Sequence, residues 1–286
     1  LETTDVFAEL EHRLDGGGLV RLSARDIDRT AFYRSARANS ALAADGSFTM
    51  ETVDGDFHVR TRNYDAFLAT PVQVAGRTHK LLVGASHNEG KSWDGNYAYG
   101  PSLPFNLLQP HYDLAYPDIR LPGFTSIVTR RENALYGQAQ IGLTDTVKLL
   151  AGGRLSWAEV VTRSTSTGAV TASADPGRQF VPSLALMWDF HPQYTGYASY
   201  AETFVVQSQL TAAKQLLDPR TGKQLELGVK GEFLQKRLQA HAALFRIIDE
   251  NRAIADPVVA NASIAGGKVR AQGFEAEVSG QPQRGW

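Results

Sequence analysis

The chain has no cysteine in its 286 residues. A disulfide framework and any cysteine-based metal centre are therefore excluded. It also lacks an excess of either charge, with 29 Lys+Arg against 30 Asp+Glu. Nucleic acid as a partner has no electrostatic basis here. Long apolar runs are missing, which rules out a transmembrane helix. The opening "LETTDVFAELEHRL" has neither a basic start nor an apolar stretch, so it does not read as a signal peptide. The seven histidines include no HExxH pair. A mean hydropathy of −0.25 leaves one membrane architecture open. In a β-barrel, every lipid-facing residue is diluted by a polar lumen-facing neighbour.

What the sequence does contain is alternation with a period of two. Val6, Ala8 and Leu10 alternate with Phe7, Glu9 and Glu11. Leu81, Val83 and Ala85 alternate with Lys80 and Ser86, and Ala139, Ile141 and Leu143 with Gln138 and Gln140. The same pattern runs through Val147–Trp157, Phe180–Phe190, Leu225–Phe233, Leu238–Leu244 and Phe274–Val278. Such segments read as β-strands with one apolar and one polar face. About eleven are expected, each long enough to cross a bilayer when tilted. Pro182 inside one of them is a local inconsistency.

The connections alternate in length. Short ones are "DGG" (Asp15–Gly17), "VAGR" (Val74–Arg77), "LTDT" (Leu143–Thr146), "FHPQ" (Phe190–Gln193) and "LQKR" (Leu234–Arg237). Long polar loops are expected at about residues 40–50, 96–126, 164–177, 205–222 and 250–267. An up-and-down meander then carries all short turns at one end, as outer-membrane barrels do. Trp93, Tyr136, Trp157, Trp188, Phe190 and Tyr194 sit near strand ends and read as interfacial girdle residues. The competing reading is strand-end aromatics closing a soluble core. An odd strand count and the ending "QPQRGW", which reads as a turn into a further strand, lead to the expectation that the chain is part of a larger barrel.

Several segments resemble the TonB-dependent outer-membrane receptors, in particular the ferric-siderophore receptors of the coprogen and pyoverdine type. They are "ENALYGQAQIGLTDTVKLLAGGRLSW", "YASYAETFVVQSQLTAAKQLLDPRTGKQLELGVKGEF", "LQAHAALFRIIDENRAIADP" and "GGKVRAQGFEAEVSG", in the expected order. "GRTHKLLVGAS" resembles an earlier strand of the same receptors. The resemblance implies an all-β, antiparallel up-and-down transmembrane barrel of 22 strands in the outer membrane of a Gram-negative bacterium. It implies a plug domain closing the barrel and a TonB box coupling it to an inner-membrane energy source. Residues 1–286 are expected to be the middle of the barrel domain, without plug or final strands.

The implied function is import of a ferric siderophore, with outer-membrane lipid and the TonB complex as partners and no nucleic acid. No cofactor is expected, since iron arrives already wrapped in the siderophore. The longest loop, Ser92–Phe124, is rich in aromatics and proline, and Trp93, Tyr97, Tyr99, Tyr112 and Tyr116 are the expected ligand surface. Packing of the loop on itself is the bland alternative for each. Catalysis is not expected. "GASHN" (Gly84–Asn88) lacks the last glycine of a nucleophile elbow, and "SIAGGKV" (Ser263–Val269) lacks P-loop residues. Glu275 and Glu277 read as lumen lining, and His79 and His87 as polar barrel-lining residues too far apart to share a metal. Haem or cobalamin uptake, a soluble β-sheet binding protein and an outer-membrane enzyme are the alternatives.

Overall fold

The computed structural model describes residues 1–111, 121–207 and 209–283. Its strands are β1 (Glu2–Arg13), β2 (Leu19–Ala38), β3 (Ser47–Val74), β4 (Arg77–Asp94), β5 (Tyr97–Asn106), β6 (Ser126–Gly142) and β7 (Val147–Ser164). They continue as β8 (Val170–Ala174), β9 (Arg178–His191), β10 (Tyr194–Val205), β11 (Arg220–Phe233), β12 (Leu238–Ala255) and β13 (Ser263–Gly280). All belong to one 13-stranded antiparallel sheet in the order β1-β2-β3-β4-β6-β7-β9-β10-β11-β12-β13. The expected wall of eleven strands is therefore present. Two short strands, β5 paired with β3 and β8 paired with β7, lie inside what the sequence reads as long loops. The strands also run further than alternation suggests, so the last long connection shrinks to 256–262.

The five short connections are tight hairpin turns at one end of the meander. In "VAGR", Ala75 and Gly76 both take positive φ, 50° and 74°, the twist that matches flanking right-handed strands. Pro182 falls in β9, between two neighbours. It faces Gly153 of β7, but pairing with β10 ends one residue later, at Ser183–Ala201. The missing N–H therefore breaks no rung with β10.

Directly paired residues share a face, so register carries two faces across the sheet. On one face Leu227, Leu244 and Phe274 remain 60%, 58% and 66% exposed. Apolar side chains this open do not form the core of a soluble domain. Buried apolar residues among those described are few and mostly small, such as Val53, Val128, Ala134, Val160 and Ala243. On β3 the apolar face runs from Val74 to Tyr64 and then meets Arg62 and Arg60. Ten residues at ~3.3 Å each, tilted ~45°, give a band ~23 Å tall, close to the height of a barrel's lipid-facing zone.

The opposite face carries glycines covered by rings. A Cβ on Gly84 would lie 2.4 Å from the Tyr136 ring, and one on Gly228 2.6 Å from Tyr197. The aromatic shields the backbone that a larger residue would otherwise cover. Tyr136 is thus on the polar wall, where its hydroxyl donates to Asp65 Oδ2 at 2.7 Å. Its reading as a girdle residue is corrected, because it is one position out of phase with Leu135 on the apolar face. Trp157, Trp188 and Phe190 do lie on the apolar face, and Phe190 and Phe233 pack against Tyr194 near the short turns.

His79 and His87 are corrected in the other direction. They share the face of Leu81 and Val83, not the polar wall. His87 Nδ1 meets Asn133 Oδ1 at 2.8 Å beside Tyr64 and Trp157, at the upper margin of the band.

Candidate functional site

The polar face contains two clusters that chemistry can use. The upper one is built where β2, β3 and β5 extend beyond the apolar band, at the end with the long connections. Gly55 pairs with Tyr33 on one side and Tyr97 on the other. Val53 pairs with Tyr99, and Phe57 follows Gly55 on the same face. Tyr33, Phe57, Tyr97 and Tyr99 are all exposed there, with Tyr97 and Tyr99 edge-to-face at 5.5 Å. The Arg37 guanidinium lies over the Tyr99 ring at 4.5 Å and donates to Glu51 Oε1 at 2.7 Å. Asn39 donates to Ser102 Oγ at 2.7 Å. The result is an open aromatic wall edged by fixed donors, suited to stacking on a bulky, partly polar ligand.

The structure brings Tyr97 and Tyr99 together and separates them from Trp93. Trp93 pairs with His58 and stacks on it at 3.9 Å, on the opposite face. Tyr112 and Tyr116 lie outside the described residues. Tyr33, Phe57 and Arg37 were not singled out from the sequence. Phase along β2 and β3 places them with Tyr97 only once the register with β5 is known.

Behind this wall the strands are fastened by polar pairs. Asp54, 1% exposed, receives two bonds from Arg34, at 2.9 and 2.7 Å. That guanidinium holds the Asp54 carboxyl below the usual value of 3.8. A depressed carboxylate contributes its stability above the unfolded value and loses it only as pH falls through the lower folded one, so the pair is intact at neutral pH.

Asn96 clamps the base of the long connection. It donates to Asp56 Oδ2 at 2.7 Å and accepts from the Gly123 N–H at 2.7 Å, while its own carbonyl accepts from Asp56 N–H at 2.9 Å. Asn96→Ala removes both side-chain bonds at a buried site and is expected to loosen the connection locally by about 1–3 kcal/mol. Faster amide exchange at Gly123, with strands β9–β13 unaffected, is the expected result. Unchanged exchange at Gly123 would contradict the clamp.

The lower cluster lies on β10–β13. Tyr197 donates to Glu226, and its hydroxyl meets His241 Nε2 at 2.7 Å. Ligand atoms of Glu226, His241 and Glu275 lie within 4.8 Å of one another. Glu226 also accepts from Gln224 at 2.9 Å, and Lys230 stands 5.1 Å over the Tyr197 ring. Elsewhere on this face carboxylates are paired, as Asp189 with Lys148 and Glu132 with Arg154, at 2.7 and 2.8 Å. Among the described residues Glu226, Glu275 and Glu277 have no such cationic partner. The imidazole nitrogen facing the cluster is already engaged by Tyr197. "GASHN" and "SIAGGKV" lie within strands β4 and β13, with neither an elbow nor a phosphate loop.

The family model described as TonB-dependent receptor-like β-barrel matches residues 1–286. The chain belongs to this family. It is 31% identical over 306 residues to the ferripyoverdine receptor of Pseudomonas aeruginosa, a match covering 99% of the chain and 36% of that receptor. It is 28% identical over 231 residues to the ferrichrome outer membrane transporter/phage receptor of Escherichia coli K12, covering 78% of the chain and 30% of the transporter. The solved pyoverdine outer membrane receptor of Pseudomonas aeruginosa PAO1, bound to pyoverdine, superposes with a TM-score of 0.79 at 26% identity. That match covers 99% of the chain and 42% of the receptor. The chain thus spans about a third of the length of these curated relatives. In a barrel of this family the apolar face meets lipid and the polar face lines the lumen.

Proposed function

We propose that the parent protein is an outer-membrane receptor that binds a ferric siderophore and imports it by TonB-coupled, plug-gated transport. The observation that carries this reading is the upper aromatic wall, Tyr33, Phe57, Tyr97 and Tyr99, mounted on the lumen face of a barrel in this family. It is supported by the relatives, whose names include ferripyoverdine and ferrichrome receptors. Stacking surface and fixed donors suit a large ligand that brings its own iron, so metal ligands from the wall are not needed.

The lower cluster fits the same scheme. Among the described residues, Glu226, Glu275 and Glu277 offer carboxylates without a cationic partner on the lumen face of β11 and β13. A plug domain presenting basic side chains would neutralise them, and pulling on that plug would break the contacts and open the path. Coupling is then a change in binding and position, with no covalent chemistry.

The test is growth of an iron-starved strain on single ferric siderophores, with the full-length gene intact or deleted. Growth on at least one siderophore is expected to need the gene and an intact TonB. Gene-dependent growth on haem alone, with none on any siderophore, would move the reading to haem uptake.

A further inference from the structure

We propose that the lipid-facing patch around Arg246 and Arg270 is a docking site for a phosphorylated outer-leaflet lipid. The proposal rests on the outer-membrane barrel reading. The first charged row above the apolar band is self-neutralised on β2–β7. There Asp26, Arg62, Glu89, Arg131 and Glu159 stand opposite one another in register across five strands. Their successive ion pairs measure 3.2, 3.9, 2.7 and 3.6 Å. Such a row offers a passing headgroup little net charge.

The corresponding region of β10–β13 differs. Lys223 faces Glu202 across the ladder, and Lys268 bonds Glu250 at 2.6 Å. Arg246 and Arg270 remain, both exposed, and among the described residues neither has a carboxylate partner. Arg246 pairs with Gln272 and Ile248 with Arg270. The two arginines are therefore diagonal neighbours on one face, roughly 7–8 Å apart at Cα. That spacing lets two planar guanidiniums converge on one phosphate, the anion they match best.

Immediately below lies apolar surface. Leu225 pairs with Arg246, and Leu244 and Phe274 follow one step down. A groove of about 520 Å³ continues toward the short turns, its lining including Leu186, Ala198, Leu227, Ala242, Leu244 and Phe274. Its lining mixes glycine and alanine with large apolar side chains, which suits an acyl chain lying along the wall. Arginine at the edge of hydrocarbon is costly when unpaired, and long side chains there reach toward the headgroups. A phosphate above an acyl chain satisfies both parts at once. Free phosphate would leave the groove unused, and a zwitterionic lipid would bring a competing ammonium to the arginines.

The test uses the full-length receptor in neutral detergent, with native mass spectrometry during titration by diphosphoryl lipid A, its dephosphorylated form and phosphatidylethanolamine. Diphosphoryl lipid A is expected to bind at least about tenfold more tightly than the other two, an advantage lost in R246Q/R270Q, retained in R246K/R270K and unaffected by R62A. Equal retention of all three lipids by the unaltered receptor would overturn the proposal without any variant. So would an unchanged preference in R246Q/R270Q, or equal competition by inorganic phosphate. Outer-membrane fractionation is read in parallel. Absence from that fraction would sink the barrel reading, whereas presence without phosphate preference sinks only this proposal.

Discussion

Leu227→Arg is expected to destabilise the folded barrel by about 2–4 kcal/mol, the cost of an arginine near the middle of the lipid-facing zone. Leu227 lies on β11 between Ala198 and Leu244, apolar on both sides and 60% exposed. A guanidinium there has no carboxylate within its row and meets lipid tails. Ser199→Arg is the control, because Ser199 lies on the lumen face opposite Glu226, whose charge has no cationic partner among the described residues. It is expected to cost less than about 1 kcal/mol or to stabilise. Equilibrium refolding of the full-length receptor into lipid vesicles across a guanidinium chloride series measures both. A similar cost for the two would mean that the faces are assigned wrongly.

Tyr97→Ala combined with Tyr99→Ala should weaken binding of the cognate ferric siderophore by roughly 30–100-fold, about 2–3 kcal/mol for two aromatic contacts at the centre of a binding surface. Trp93→Ala should change it by less than about threefold, because the indole is stacked on His58 on the other face. Binding of radioiron-labelled siderophore to cells carrying the full-length receptor, at matched receptor levels, separates the outcomes. Loss in Trp93→Ala with none in the tyrosine pair would move the ligand surface to the outer side of the rim and reject the wall of Tyr33, Phe57, Tyr97 and Tyr99.

Particular residues show where sequence reasoning stops. Leu225, Leu227 and Val229 against Glu226 and Lys230 could be phased by eye, because each strand alternates locally and the alternation survives folding. Tyr136 could not, since an aromatic near a strand end reads as girdle whichever way it points. One position of phase puts it over Gly84 instead of into lipid. His79 and His87 fail for a related reason. A polar residue on an apolar face reads as lumen lining until its neighbours Val83, Tyr64 and Asn133 are in register with it. The loops hid β5 and β8, because irregular sequence with Gly and Pro carries no period of two. Only pairing with β3 and β7 organises those stretches as strands.

The sequence by itself determined the β class, the two-faced strands, the tight turns gathered at one end and the family. All of these depend on neighbours within a few residues or on motifs in fixed order. The tertiary structure decided which aromatics meet. Tyr33, Phe57 and the pair Tyr97 and Tyr99 come from three strands, β2, β3 and β5, and Tyr197, Glu226, His241 and Glu275 from four, β10 to β13. Cross-strand register sets those contacts. A ladder fixes register through the sum of many backbone bonds and the turns that start each hairpin, and no single residue in the sequence records that sum.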